Sequence, residues 1–568
     1  MRAVLRLLEL SILLLFMQEK VLLAQEEPLE NNKKNPVARH VGISAQQKDT
    51  SKAKTKTTQQ PLPKFDLPEF VITGTASIDL PKIEKIMVDD NATVPQPMLE
   101  SSEKSLRDRE TLALEMKSHG GDSKAEASKY SGFVKAGIGT YFTPQAELQF
   151  GQSFPEYFYF FGGKYFLTKG YAPNTDQSSG DFMASGGTTL TSSVPILRNA
   201  TSNGRLGYRS ESFHFYGSAT PNLQRTLSDF QLQAELENQT LNDFPYSAGI
   251  SLENMDISDS SISTSNTRLD LNYQTTLPIA SLPIQPKLHL MCATGGLGFM
   301  DLSAGVQNYW FGAILFEGSL HLYWAKGMAG QDLVRLSPQL MASYQIASQH
   351  RIFVSLEQKL VPMTLASNII ANRFLSVASF VKHENITGAG ELGIESNWTK
   401  AVQSRVSLNV KSARDLPMFS DSSRQGVWIL AYGGRTTIVT FCAEMVAKLN
   451  SNDYFASNIL LRSTNDSFLG GEIPYAPAVE VWCSAIHRFG TAIAVSADVR
   501  FAGERTANLA GTATLSKYAV VDVSGKYAPF DFLRLTTGIK NLTNTHFEIW
   551  CGYREFPLTM QIDVQIKW

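Results

Sequence analysis

Cysteine is nearly missing from this chain. Four occur in 568 residues, at Cys292, Cys442, Cys483 and Cys551. No two form a CxxC pair, which argues against a thiol redox site or a zinc knuckle. They are also too few for disulfides to be the main source of stability. An excess of one charge is missing as well. Lys and Arg number 51 against 53 Asp and Glu, for a net charge of −2. That balance gives no support to nucleic-acid binding. After residue 24 there is no run of 18 uncharged apolar residues, so membrane-crossing helices are not expected. The nine histidines include no HxxxH or HExxH spacing, and GxSxG is absent. A zinc centre and a nucleophile-elbow hydrolase are disfavoured on that ground.

What is present is distributed unevenly. Residues 1–129 hold 19 Lys/Arg, 19 Asp/Glu and three aromatics, Phe16, Phe65 and Phe70. Residues 130–568 hold every Tyr and Trp, 29 of the 32 Phe and 36 of the 40 Gly. An aromatic- and glycine-rich, charge-poor stretch of this length has the composition of many strands and tight turns.

The chain opens with Arg2 and Arg6, a short apolar run from Leu7 to Met17 interrupted by Glu9, and Val21-Leu22-Leu23-Ala24. This pattern predicts an export signal over 1–24; the alternative is a short N-terminal helix or membrane anchor. Residues 25–129 are polar and without periodicity. Such a segment cannot bury enough apolar surface to offset its ordering entropy, and disorder is expected. Within it, Ser105 to Met116 suits a short helix stopped at Gly120-Gly121. Leu67-Pro68-Glu69-Phe70-Val71-Ile72-Thr73-Gly74 is an extended, β-branched run between a proline and a glycine. It suits addition to a partner's sheet, or an ordinary short strand.

From residue 130 onward, period-two alternation recurs. Leu148 and Phe150 oppose Glu147 and Gln149. Leu269, Leu271 and Tyr273 oppose Arg268, Asp270 and Asn272. Ile352, Val354 and Leu356 oppose Arg351, Ser355 and Glu357. At the C-terminus Ile562, Val564, Ile566 and Trp568 alternate with Gln561, Asp563, Gln565 and Lys567. Alternation of this kind marks strands with one apolar and one polar face. It continues over about 440 residues, too long for one sandwich. Aromatic groups such as Tyr157 to Phe161, Tyr309-Trp310-Phe311 and Tyr323-Trp324 suit girdles at lipid headgroups. The predicted fold is all-β: a transmembrane antiparallel β-barrel over 130–568, of about 22 strands, with 16 as the lower bound. The Pro-, Ser- and Gly-rich stretches at 170–193, 254–267, 415–425 and 463–477 are expected to be loops, and 324–330 a shorter turn. Glu147, Asp270, Glu391, Glu395, Asp522 and Asp563 are expected to line a wet lumen. No cofactor and no catalytic residue is expected.

Two places resemble a known family. LPEFVITG at 67–74 resembles the short segment near the N-terminus of TonB-dependent outer-membrane receptors. The C-terminal stretch resembles the end of their barrel, with Asn541-Leu542 in a turn, then Gly552-Tyr553, then a closing strand ending in an aromatic, here Trp568. The resemblance implies an outer-membrane location and a lipid environment. It implies recognition of Trp568 by the barrel-assembly machinery, TonB as a candidate partner at 67–74, and transport or permeation of a small solute. The departure is between the two motifs. Only residues 78–129 stand where these receptors carry a globular plug, so the chain resembles a plugless relative. Inward-folded loops or part of 80–129 must then block the lumen. The alternatives are a structural or ligand-binding barrel without transport and, third, a barrel enzyme.

Overall fold

The computed structural model describes residues 131–568, apart from 239–243, 261, 280–281, 400, 422–424 and 451. The signal at 1–24, the polar region at 25–129 and the motif Leu67–Gly74 lie outside the described residues.

Alternation is realised as one closed antiparallel sheet. Its 23 strand segments make 22 staves, because Ile262–Thr275 and Leu277–Ile279 are two parts of one stave, both paired to Leu282–Ala293. The first strand, Gly132–Gly139, pairs with its neighbour Thr143–Ser153 on one side and with the last strand, Thr559–Lys567, on the other. Val134 faces Ile566 and Ile138 faces Ile562 across that seam. Closure leaves no row of unpaired backbone groups, the condition for a sheet to sit in hydrocarbon.

One set of faces is apolar and points outward. Leu148, Leu320, Leu336, Leu356, Leu392 and Ile562 are all exposed, Ile562 at 60%. In water such a belt would be an aggregation surface; in a bilayer it is the lipid-facing band. Aromatics mark one rim of the band. Trp310 and Phe311 flank the turn before Ile314, and Phe530 stacks on Phe532 with centroids 5.4 Å apart beside another.

The two ends of the barrel differ. At the end where the first stave starts and the last one finishes, Ser131 N–H donates to the Trp568 carbonyl, and most turns are short. Two residues join Leu297–Phe311 to Ile314–Lys326 there, and two join Asp332–Ala347 to His350–Val361. At the opposite end the connections 362–383, 415–434, 467–478, 503–517 and 541–558 are long. They carry a short helix, Leu365–Ala371, with Thr364 as its cap, and small hairpins such as Pro417–Ser420 with Ile429–Tyr432.

Two predicted loops are strands. The stretch 170–193 contains the strand Gln177–Thr189, and 254–267 is the tip of a hairpin whose strands reach Asp259 and restart at Ile262. Their Ser, Gly and Asn residues belong to staves rather than turns, because a wet wall takes small polar side chains on alternate positions. Tyr323 also departs from expectation. It points into the lumen, 3% exposed, and is not part of a lipid girdle.

The seam gives a prediction. A Cβ on Gly137 would lie 2.7 Å from the Ile562 carbonyl oxygen and closer still to the Asp563 carboxylate. Gly137→Val should therefore reduce the fraction of chains that run as closed, heat-modifiable barrels on a gel. An equivalent change at Gly538, with no neighbour within 4 Å, should not.

Candidate functional site

The lumen wall is built from the polar half of each alternation. Cross-strand register places opposite charges beside one another, at the spacing where such pairs interact. Glu147 faces both Lys135 and Lys164, with Nζ atoms 2.7 and 3.6 Å from its carboxylate. Arg405 bridges Glu391 and Glu395, and Arg351 reaches Glu395 from the next strand. Arg268 clasps Asp270 through Nε at 2.6 Å and Nη2 at 2.9 Å, and His289 joins the same carboxylate at 2.9 Å. Arg462 pairs with Glu480 at 2.9 Å, and Arg500 pairs with Asp522. Asp563 accepts from Gln561 at 3.1 Å. All six acidic residues expected to line the lumen do so. Most of the wall's charges are thus paired with one another.

At the long-loop end the lumen is roofed. Phe374 and Tyr553 stack with centroids 3.7 Å apart. Trp428, Tyr475 and Trp550 pack around them, at 4.7 to 6.2 Å between ring centroids. Beneath these rings sit Leu227, Ile257, Met291 and Phe299, inward-facing residues from the ends of four staves. Loops distant in sequence thus share one apolar core with the barrel wall. Trp428 Nε1 donates to the Tyr475 hydroxyl at 3.0 Å, so burial of the indole leaves its donor satisfied.

Buried polar locks tie this cap to the staves. Arg225 is fully buried. Its Nε and Nη2 hold the Asp259 carboxylate at 2.5 and 2.6 Å, and Nη1 donates to the Arg373 and Leu375 carbonyls at 2.8 and 2.7 Å. One guanidinium therefore joins two staves to the loop after the helix. Arg373 reaches back to Glu211 at 2.9 Å and lies over the Phe213 ring. His383 is buried too. Its Nδ1 accepts from Met363 N–H at 3.0 Å, which places the ring proton on Nε2, facing the Lys326 carbonyl at 3.0 Å.

The predicted C-terminal signature residues fall at both ends. Asn541 is buried at φ 51°, and its side chain donates to the Thr545 and Phe556 carbonyls while accepting from Thr545 N–H. It braces the last long loop. Leu542 follows it, exposed, with its N–H on the Val521 carbonyl. Gly552, at φ +85°, lies against Gly217, where a Cβ would stand 2.4 Å from the Gly552 carbonyl oxygen. That close approach seats Tyr553, whose hydroxyl donates to the Gly426 carbonyl at 2.7 Å. Trp568 closes the seam at the far rim. Asn541, Gly552 and Tyr553 are cap residues, and Trp568 is not near them. Sequence reading missed Arg225, Arg373, Phe374 and Trp428. A clue was available in the apolar and aromatic residues inside the long loops, since solvated loops need none.

The wall also brings together Ser319, His321 and Asp301. Ser319 Oγ is 2.8 Å from His321 Nε2, and Asp301 Oδ1 is 2.9 Å from Nδ1. The order of contacts matches a serine-hydrolase relay. Here the backbone N–H groups alongside are spent in strand pairing, so the backbone offers no donors for an oxyanion. The His321 ring is stacked on Tyr323, 12° from parallel. The arrangement braces the wall. Among the described residues no group of three His, Cys, Asp or Glu is placed to hold a metal ion.

No protein-family model matches the sequence, and no curated protein does. Solved structures do match. The siderophore receptor PiuA from Acinetobacter baumannii aligns with 78% of this chain and 82% of its own, at 8% identity and a TM-score of 0.59. The FrpB iron transporter from Neisseria meningitidis aligns with 78% of this chain and 83% of its own, at 10% identity and 0.61. The copper transporter OprC aligns with 78% and 81%, at 11% identity and 0.60. The likeness is one of fold: this chain forms the same closed 22-stave barrel.

Two predictions follow from the locks. Arg225→Met removes one partner of a buried ion pair and should destabilise the cap by about 3–5 kcal/mol. Limited proteolysis within 415–434 should speed up while the barrel stays folded. Acid should act similarly through His383. Burial holds its pKa below the ordinary histidine value of about 6.5. The folded cap keeps the ring neutral where an opened one takes a proton. The stabilisation is thus whole above about pH 6.5 and is lost as pH falls towards the lowered value. Cleavage in the cap should rise between pH 7 and pH 5, and an unchanged rate would count against this role.

Proposed function

We propose that the protein is an outer-membrane transport barrel for a small solute, related in design to TonB-dependent receptors. One observation carries the reading: a closed ring of 22 staves with a lipid-facing exterior encloses a charge-lined lumen, and folded loops roof it at one end. A ring this wide leaves a channel unless something fills it. Short turns on the side where the first stave starts and long loops opposite match the usual outer-membrane arrangement, with long loops outside. The cap is then the outer gate. Selection is steric and electrostatic, by the cap and the lumen charges, with no bond made or broken.

The similar structures are described as a siderophore receptor, an iron transporter and a copper transporter. The lumen favours a hydrophilic organic solute over a bare metal ion, because most of its carboxylates are already paired with Arg and Lys and no group of three His, Cys, Asp or Glu among the described residues is placed to hold a metal ion. In this proposal residues 1–24 direct export and 25–129 lie in the periplasm. Leu67–Gly74 offers an edge strand to TonB as the energising partner, and Trp568 is read by the barrel-assembly machinery. The tight cap core also suits a barrel that binds a ligand on its outer loops and passes nothing.

Planar-bilayer conductance of the full chain separates these readings. Wild type should be nearly silent. Phe374→Ala with Tyr553→Ala removes the central ring stack, and each loss of a buried ring costs about 3–5 kcal/mol. The double variant should show steady openings that wild type lacks. If the variant folds and stays silent, the lumen is closed below the cap as well, and the binding barrel is the better account.

A further inference from the structure

Directly below the cap, the lumen wall is indented by a recess of about 320 Å³. It spans four staves, Gln224–Asn238, Tyr246–Asp259, Ile262–Thr275 and Leu282–Ala293. Its chemistry comes from Gln231, Gln233, Glu253, Arg268, Asp270 and His289. The volume is in the range of small-molecule sites, but the lining is polar, with Leu252 its one aliphatic residue.

The charges there are not evenly matched. Asp270 is satisfied by Arg268 and His289. Glu253 stands across the ladder from both Gln231 and Arg268, yet no hydrogen bond or ion pair among the described residues ends on its carboxylate. Asp229, 7% exposed, adds a second negative group one inward position nearer the cap. Its Oδ2 accepts from Gln231 Nε2 at 2.7 Å, and its Oδ1 has no partner. Arg268 is committed to Asp270, so the recess has spare negative charge. An anion is disfavoured there. No Phe, Tyr or Trp lines it to stack a planar ring, and no metal-holding trio of side chains is present among the described residues. The amides of Gln231 and Gln233 offer both donors and acceptors, which suits hydroxyl groups.

We propose that this recess binds a small hydrophilic organic cation, an ammonium-bearing polyol, with its ammonium on Glu253 and its hydroxyls on Gln231 and Gln233. Charge-assisted bonds to a carboxylate are the strong ones, so Glu253 supplies most of the selectivity. The inference names a solute class for the transport reading and rests on that reading for its purpose only. Binding is measured without flux.

The test is calorimetric titration of the full chain in detergent micelles with glucosamine, glucose and glucuronate, at a pH where the amine is protonated. Glucosamine should bind at least about tenfold more tightly than glucose, a difference of about 1.4 kcal/mol. Glucuronate should not bind. Glu253→Gln should erase the advantage of glucosamine and leave glucose unchanged. Ser251→Leu, which puts an aliphatic side chain into the recess, should abolish binding of both. Equal binding of glucosamine and glucose to wild type overturns the proposal. So does undiminished glucosamine binding in Glu253→Gln with its barrel folded. If Glu253→Gln does not fold, the contrast among the three sugars on wild type decides. Glucosamine binding without conductance in any variant would sink the transport reading and support the recess. Conductance in the cap variant without glucosamine preference would do the reverse.

Discussion

Backbone hydrogen bonds set the terms for this molecule. A strand that crosses hydrocarbon has no water to satisfy its N–H and C=O groups, and each unpaired group costs several kcal/mol. The pairing of Gly132–Gly139 with Thr559–Lys567 therefore decides everything built on it. Once the seam closes, the start of the first stave and the end of the last are fixed at one rim. Side chains must alternate between lipid and lumen. The ring also encloses a space too wide for its own side chains to fill. The apolar belt, the charged wall and the need for a roof are consequences of that single closure.

The roof solves its problem by different physics. Loops carry backbone groups that cannot all join a ladder, so a loop buried in a barrel mouth must bring its own partners. Here aromatic side chains supply the apolar area and arginines supply the donors. Trp428, Tyr475 and Tyr553 are buried ring systems whose polar tips are all hydrogen-bonded. Arg225 satisfies two loop carbonyls and a carboxylate at once. The charged wall below follows a third rule. Most of its ions are partly buried and partnered, across the register or two residues along one stave, so the lumen stays wet at little cost in stability.

Legibility in the sequence followed the same division. Strands were legible because period two is a local signal, clean at 562–568 and at 268–273. The strand number followed from length alone. The wall acids were legible for the same reason, once Ile562 and Leu269 had been placed on the lipid side. The strand Gln177–Thr189 was not legible. Its QSSGDFMASGGTT reads as loop composition, and only its neighbours' pairing makes it a stave. The cap was hidden for a deeper reason. Phe374, Trp428, Tyr475 and Tyr553 are separated by tens to well over a hundred residues and share no period, so only tertiary proximity reveals them as one cluster. Ser319, His321 and Asp301 were invisible in the same way, since a relay across two staves has no sequence motif.

Stability is consequently divided unevenly along the chain. Every stave is held by ladders on both sides, so no single side chain decides whether it stays. The cap is held by one apolar core shared with the wall and by the buried arginine contacts, and its local opening is governed by those side chains rather than by ladders. Arg225 is informative on this point. A well-packed aliphatic residue in its place could hold a core as firmly, because desolvating a guanidinium and a carboxylate consumes much of what their pairing returns. The arginine does something an aliphatic residue cannot. Its planar fork needs Asp259 on one edge and the carbonyls of Arg373 and Leu375 on the other, and only one docking of the loop presents all three. A cap secured this way docks on the barrel in one register only. That property suits a gate over a wide lumen better than greater stability would.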